Sequence, residues 1–127
     1  MDRAKSNQEK KKKLRLTEQD QENLSAVAAY LDNHYAFAVP IERLCRISFM
    51  GQTKLKNAFK EYFGCTLYDY ILQKRMGQAQ HLLMGTELSI AEIAQAVGYD
   101  RSESFAKQFQ RITGLLPREY RKLMGEK

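Results

Sequence analysis

Tryptophan is absent from this 127-residue chain, and proline and cysteine occur only twice each. Two Pro and seven Gly supply too few turn residues for an all-β fold. Two Cys make a poor disulfide framework and point to a reducing, cytoplasmic setting. No apolar run exceeds the six residues Ala26 to Leu31, against roughly 18 for a membrane-crossing helix. The N-terminus is polar and charged without an apolar stretch, so no secretory signal is visible. What is present argues for a folded body. Hydrophobic residues make up 43%, with seven Tyr and six Phe, which excludes full disorder. The length fits one domain or two very small ones.

Charge is segregated along the chain. Residues 1–16 hold seven basic and two acidic side chains, and the remaining residues 14 basic and 13 acidic. The basic balance therefore belongs mostly to a tail around Lys10, Lys11, Lys12 and Lys13, which reads first as a solvated linker and second as a source of sequence-independent attraction to DNA. Within the body, residues 17–39 carry −4, residues 40–85 carry +4 and residues 86–127 carry +1.

The body reads as seven short helices. Leu24, Val27, Ala28 and Leu31 recur at helical spacing, and Thr17 with Asp20 forms a plausible cap before them. Pro40 opens a second helix with Ile41, Leu44 and Cys45 inward. A third covers about Gln52 to Phe63, with Leu55, Ala58, Phe59, Tyr62 and Phe63 as its inner face and Gly64 as its stop. Thr66 caps a long fourth helix running to about Met84. Ser89 and Glu92 have capping-box spacing and open a fifth helix ending near Gly98. A sixth spans about Ser102 to Ile112, with Phe105, Phe109 and Ile112 inward and Gly114 as stop. The seventh starts at Pro117 and ends near Met124. Helices this short need packing to hold them.

An internal repeat organises these elements. Ile41, Leu44 and Cys45 recur 49 residues later as Ile90, Ile93 and Ala94. Leu55, Phe59, Gly64 and Tyr70 recur 50 residues later as Phe105, Phe109, Gly114 and Tyr120, so one extra residue enters the second copy. Each copy is a short helix, a tight connection and a longer helix. That is the helix-turn-helix pattern, whose second helix lies in the DNA major groove; two similar hairpins packed for stability alone are the plainer alternative.

The outer faces of the longer helices favour DNA. Thr53, Lys56, Asn57 and Lys60 share one stripe opposite Leu55 and Phe59, with Gln52 beside them. Asn and Gln pair with adenine, and Lys with guanine. The matching stripe of the second copy is Glu103, Ala106, Lys107 and Gln110, with Arg101 and Ser102 at its start. Glu can accept from cytosine, and Ala can touch a thymine methyl. Any one of these residues is as readily a solvated surface position; the reading rests on two such faces.

The second copy also presents Ile93-Ala94, Val97-Gly98-Tyr99, Phe105 with Phe109, then Gly114, Pro117, Tyr120 and Arg121. Ahead of it, the linker holds Arg75, Met76, Ala79, Leu82 and Leu83. With these residues, the stretch from about Pro40 to Leu123 resembles the C-terminal DNA-binding domain of the AraC/XylS family of bacterial transcription regulators. The resemblance implies an all-α fold over residues 17–127. It has two helix-turn-helix subdomains, about 40–64 and 89–114, a linker helix about 66–85 and a final helix about 117–124. It implies sequence-specific binding of double-stranded DNA at two successive major grooves. It also implies a regulator, most simply an activator that recruits RNA polymerase, in the cytoplasm and associated with the nucleoid. Two departures stand out. Leu116 replaces the usual Ser or Thr, leaving the last helix without a side-chain cap, and Ser48-Phe49-Met50-Gly51 is an unusual first turn. Family members usually add a sensing or dimerisation domain, so the chain reads as a short regulator or as a DNA-binding fragment.

Other chemistry is thin. His34, Cys45, Cys65 and His81 match no zinc spacing, Cys65 reads as an inert thiol, and no phosphate loop or nucleophile motif occurs. Tyr62, Tyr68, Tyr70 and Tyr120 read as packing residues. The expectation is no enzyme, no cofactor, no metal, no membrane and no small-molecule site in this chain. The contrasting class is a helical protein-interaction module for an acidic partner.

Overall fold

A computed structural model describes residues 15–125. Most of the basic tail, residues 1–14, lies outside the described residues. The described residues form seven helices and no strand: α1 (Glu18–His34), α2 (Ile41–Ser48), α3 (Gln52–Phe63), α4 (Leu67–Gly85), α5 (Ile90–Ala96), α6 (Ser102–Thr113) and α7 (Pro117–Gly125). None of these helices is long and apolar enough to cross a membrane. The chain divides into two compact units, one of residues up to 33 with 39–70, the other of 34–38 with 71 onward; the division falls inside α4, after Tyr70.

In the first unit, α1 begins with a reciprocal cap. The Asp20 N–H donates to Thr17 Oγ1 at 2.9 Å, and the Thr17 N–H donates to Asp20 Oδ2 at 3.1 Å. This satisfies donors that a helix start leaves open. Leu24, Val27 and Leu31 of α1 are fully buried, as are Leu55, Ala58 and Phe59 of α3. Phe59 meets Tyr70 edge-on at 5.5 Å, and the Tyr70 hydroxyl donates to Asp32 at 2.7 Å, tying the start of α4 to α1. The Thr66 hydroxyl accepts from the Asp69 N–H at 3.0 Å and caps α4.

The turn between α2 and α3 is held by a buried hydroxyl. Ser48 Oγ donates to the Cys45 carbonyl and accepts from the Met50 N–H, both at 3.2 Å. Phe49 next to it has φ 60° and ψ 31°, left-handed, and is 85% exposed.

The second unit has its own core of Leu72, Met76, Ala79 and Leu83 from α4, Ile93, Ala94 and Val97, and Phe105 and Phe109 from α6. Phe109 meets Tyr120 edge-on at 5.2 Å, repeating the contact of Phe59 with Tyr70. Gly64 and Gly114 end α3 and α6 in the left-handed region, at φ 81° and 87°, and each N–H donates back to the fourth residue before it at 2.8 Å. Both copies therefore stop the same way, as the Gly spacing predicts. The Ser89 and Glu92 capping box of α5 is complete.

Two arginines lock the second unit's loops. Arg75 donates from Nε to the Tyr35 carbonyl at 2.7 Å and from Nη1 to the Gly98 carbonyl at 3.4 Å, with its guanidinium over the Tyr99 ring. Arg121 donates to the carbonyls of Leu88 at 2.7 Å, Leu83 at 3.0 Å and Thr86 at 3.1 Å, closing the loop between α4 and α5.

Several sequence expectations need correction. Tyr62 and Ile112 occupy the same repeat position and were expected inward, yet they are 41% and 42% exposed, at the edge of the buried stripe. Tyr68 is also exposed, on the solvent side of the first turn of α4. Ile41 and Cys45 are only half-buried. The fifth helix, by contrast, stops at Ala96, near Gly98 as its spacing suggests, with the Gly98 N–H turned back to the Gln95 carbonyl at 3.1 Å. The final helix does receive a side-chain contact at its start: Glu119 reaches back to accept from the Leu116 N–H at 2.9 Å.

Candidate nucleic-acid interface

The candidate site grows from the period of α3 and α6. Burying Leu55 and Phe59, or Phe105 and Phe109, forces the opposite stripe of each helix into solvent. In the first unit Gln52, Thr53, Lys56, Asn57 and Lys60 are all exposed along α3. In the second, Arg101, Ser102, Glu103, Lys107 and Gln110 are exposed along α6, and Ala106 is half-buried among them. Each unit thus brings its own set together on one helix face.

The starts of these two helices share a property. The residues preceding them, Gly51 and Arg101, make no side-chain cap hydrogen bond, whereas side chains cap α1, α4 and α5. The leading N–H groups of α3 and α6 therefore keep their donor capacity, and the positive end of each helix dipole favours an anion such as a phosphate oxygen. α3 has no acidic residue in its first turn, but α6 has Glu103. Arg101 Nε stands 3.9 Å from Glu103 Oε1, with the two side chains 73% and 81% exposed. A pair this open is weakly held, so both groups stay free to turn to a ligand.

Beside Lys56, Asn57 and Lys60 lies a groove of about 330 Å³ completed by Thr66, Leu67 and Tyr68. Two cations and an amide stand on one wall, and Leu67 with a phenol ring on the other. Sequence reasoning did not include Thr66 and Tyr68 in the site; their place follows from the Gly64 turn, which brings the first turn of α4 beside α3. It also passed over Lys54, on the flank of α3, whose Nζ lies 3.7 Å from Asp20 Oδ1. The Thr17 N–H first, then the Lys54 charge, hold the Asp20 carboxyl below its ordinary range.

Among the described residues no group of three or more His, Cys, Asp or Glu is placed to hold a metal ion, and Cys45 and Cys65 are free thiols.

A family profile described as "Helix-turn-helix domain" matches residues 44–123. The chain is 33% identical over 104 residues to the "HTH-type transcriptional activator RhaR" of Cronobacter sakazakii, covering 82% of this chain and 37% of that one. It spans less than half the length of curated regulators that it matches. Among solved structures, the DNA-binding domain of the global transcriptional factor AdpA in complex with a target DNA superposes with a TM-score of 0.74 at 25% identity, covering 79% of this chain and 90% of that one. An AraC-type regulator from Chromobacterium violaceum, at 24% identity and a TM-score of 0.73 over 80% and 91% of the two chains, has the same fold.

Proposed function

The chain belongs to the AraC/XylS family of bacterial transcription regulators, and from that membership we propose that it binds double-stranded DNA sequence-specifically and activates transcription. The observation that carries this reading is the pair of exposed, amide- and base-bearing faces at repeat-equivalent positions of α3 and α6. Gln52, Thr53, Lys56, Asn57 and Lys60 read one half-site. Arg101, Ser102, Glu103, Ala106, Lys107 and Gln110 read another. Because the two faces differ, one chain recognises two unlike half-sites, in successive major grooves of an asymmetric element of about 20 base pairs rather than a palindrome. Residues 40–85, which include α3, carry +4 against +1 for residues 86–127, so the first copy should hold DNA more firmly. RNA polymerase is the partner to be recruited, and the setting is the bacterial cytoplasm, on the nucleoid. No catalytic step enters this function.

The test is selection of binding sites from a random duplex pool, followed by Lys56→Ala and Asn57→Ala. Each variant should lose about 1–3 kcal/mol on the selected site, the worth of one base-edge contact, and much less on random DNA. Equal losses on both duplexes would remove these residues from base reading. Absence of any preferred sequence, with a flat salt dependence, would favour a helical module for an acidic protein instead.

A further inference from the structure

A helix that reads the major groove almost fills it. The groove is about 12 Å wide, and a helix with its side chains is about 10–12 Å across. A wall of phosphates therefore runs along each side of the helix, and a side chain standing just outside the reading stripe meets it. In the first unit that place is taken by Tyr68. The groove of about 330 Å³ beside Lys56, Asn57 and Lys60 is closed by the first turn of α4, where Tyr68 is 62% exposed. A phenol this open buries little surface.

The repeat puts a second donor at the same place in the second unit. Fifty residues on, Tyr68 becomes Arg118, and each is the second residue of its helix, α4 or α7. The two surroundings are built alike. Gly64 and Gly114 end the reading helices in the left-handed region, and Phe59 with Tyr70 and Phe109 with Tyr120 meet edge-on at 5.5 and 5.2 Å. The next turns close with the same bond, from the Tyr70 N–H to the Thr66 carbonyl at 2.9 Å and from the Tyr120 N–H to the Leu116 carbonyl at 2.8 Å. One framework thus carries position 68 beside α3 and position 118 beside α6, and Arg118 is exposed. Backbone donors at both helix starts are already engaged, the Asp69 N–H by Thr66 Oγ1 and the Leu116 N–H by Glu119. An anion here is held by side chains rather than by the helix end alone.

We propose that Tyr68 and Arg118 are a matched pair of DNA-backbone contacts, each donating to a phosphate oxygen of the strand that flanks its reading helix. These contacts rest on the α3 and α6 reading for their geometry and add donors which that reading does not contain. The difference between them follows the stripes they flank. Lys56, Asn57 and Lys60 become Ala106, Lys107 and Gln110, so two cations become one. A neutral phenol suffices beside the first stripe, and a guanidinium makes up the lost charge beside the second. The acids that follow, Asp69 and Glu119, oppose an anion, but Glu119 is turned back onto the Leu116 N–H. Contacts to phosphate carry affinity and leave the preferred sequence unchanged.

The experiment uses the full chain on a duplex from the selected sites, with Tyr68→Phe and Arg118→Met. A hydrogen bond to a charged group is worth about tenfold or more, so each variant should bind selected and random duplexes about tenfold more weakly. From 50 to 200 mM salt the wild type should lose about 3.5-fold more affinity than Arg118→Met, the share of one cation, while Tyr68→Phe keeps the wild-type slope. Replacing single phosphates by neutral methylphosphonates then locates the contacts. Each variant should be indifferent at one phosphate whose neutralisation weakens the wild type. For Tyr68→Phe it lies in the half-site whose preference Lys56→Ala relaxes, and for Arg118→Met in the other. Wild-type affinity in either variant overturns the pair, as does a changed consensus. A variant weakened through its fold alone stays sensitive at every phosphate where the wild type is, and that result also overturns it. The two readings fail separately. If Lys56→Ala and Asn57→Ala relax the preference while both flank variants match wild type, the flank contacts alone are wrong. If they leave it intact while each flank variant loses its own phosphate, the contacts stand and the base reading falls.

Discussion

Replacing Phe49 with Gly should stabilise the protein. Phe49 sits at φ 60° and ψ 31°, and no other described non-glycine residue has positive φ. The left-handed conformation costs an L-residue about 1–2 kcal/mol. Its ring is 85% exposed, so it recovers little through burial. The cap bond from the Phe49 N–H to the Cys45 carbonyl involves only backbone and survives the change. Glycine removes the steric cost but adds about 0.5–1 kcal/mol of chain entropy to the unfolded state. The net gain should be about 0.5–1 kcal/mol, a rise in Tm of about 2–4 °C at this size. Phe49→Ala is the control: it drops the ring but keeps the Cβ, and should move Tm by less than half as much. Thermal unfolding followed by circular dichroism reads both. A lower Tm for Phe49→Gly, or an equal rise for Phe49→Ala, would refute the conformational argument.

Gly98→Ala should act in the opposite direction. At φ 105° a Cβ would stand 2.9 Å from Arg75 Cζ and 3.0 Å from the Ala36 carbonyl oxygen, and a loss of about 2–3 kcal/mol should lower the urea midpoint. Arg121→Met strips donors from the Leu83, Thr86 and Leu88 carbonyls. It should cost about 2–3 kcal/mol by the same assay, with Arg121→Lys recovering only part because a single ammonium cannot span all three. The Tyr70 phenol is pushed from 10.0 up to about 12, first by burial and then by its hydrogen bond to Asp32. Its neutral form is favoured by folding. The stability this adds is complete below pH 10 and is lost as pH rises from 10 to 12. Tyr70→Phe should flatten that part of the stability profile, and an absorbance titration showing a Tyr70 midpoint near 10 would contradict it.

Signals confined to a few neighbouring residues were readable from the sequence. The Gly64 and Gly114 stops, the Thr66 cap and the Ser89 box all appear where the spacing puts them. The outer faces of α3 and α6 were readable too, since burying one stripe exposes the other. What escaped depends on distant chain. Whether Tyr62 and Ile112 are covered depends on neighbouring elements that helical period does not describe. Arg75 and Arg121 find their carbonyls between 23 and 40 residues away. Lys54 looked like one more surface cation until Asp20, 34 positions earlier, was found beside it.

The two turns also constrain how this protein can change by mutation. Ser48 and Phe49 stand where the second copy has Val97 and Gly98, and both Ser48 and Val97 are fully buried. One copy holds its bend with a hydroxyl bonded to backbone, the other with an apolar side chain and a glycine. Exchanging Ser48 for Val alone would leave the Met50 N–H with only its bond to the Cys45 carbonyl at 3.3 Å, and exchanging Val97 for Ser alone would put a hydroxyl into an apolar core. Each single exchange should cost some stability, although both kinds of turn fold. Moving a whole turn from one copy to the other should therefore be tolerated better than either point change alone, because each hydroxyl or apolar side chain then keeps its own surroundings.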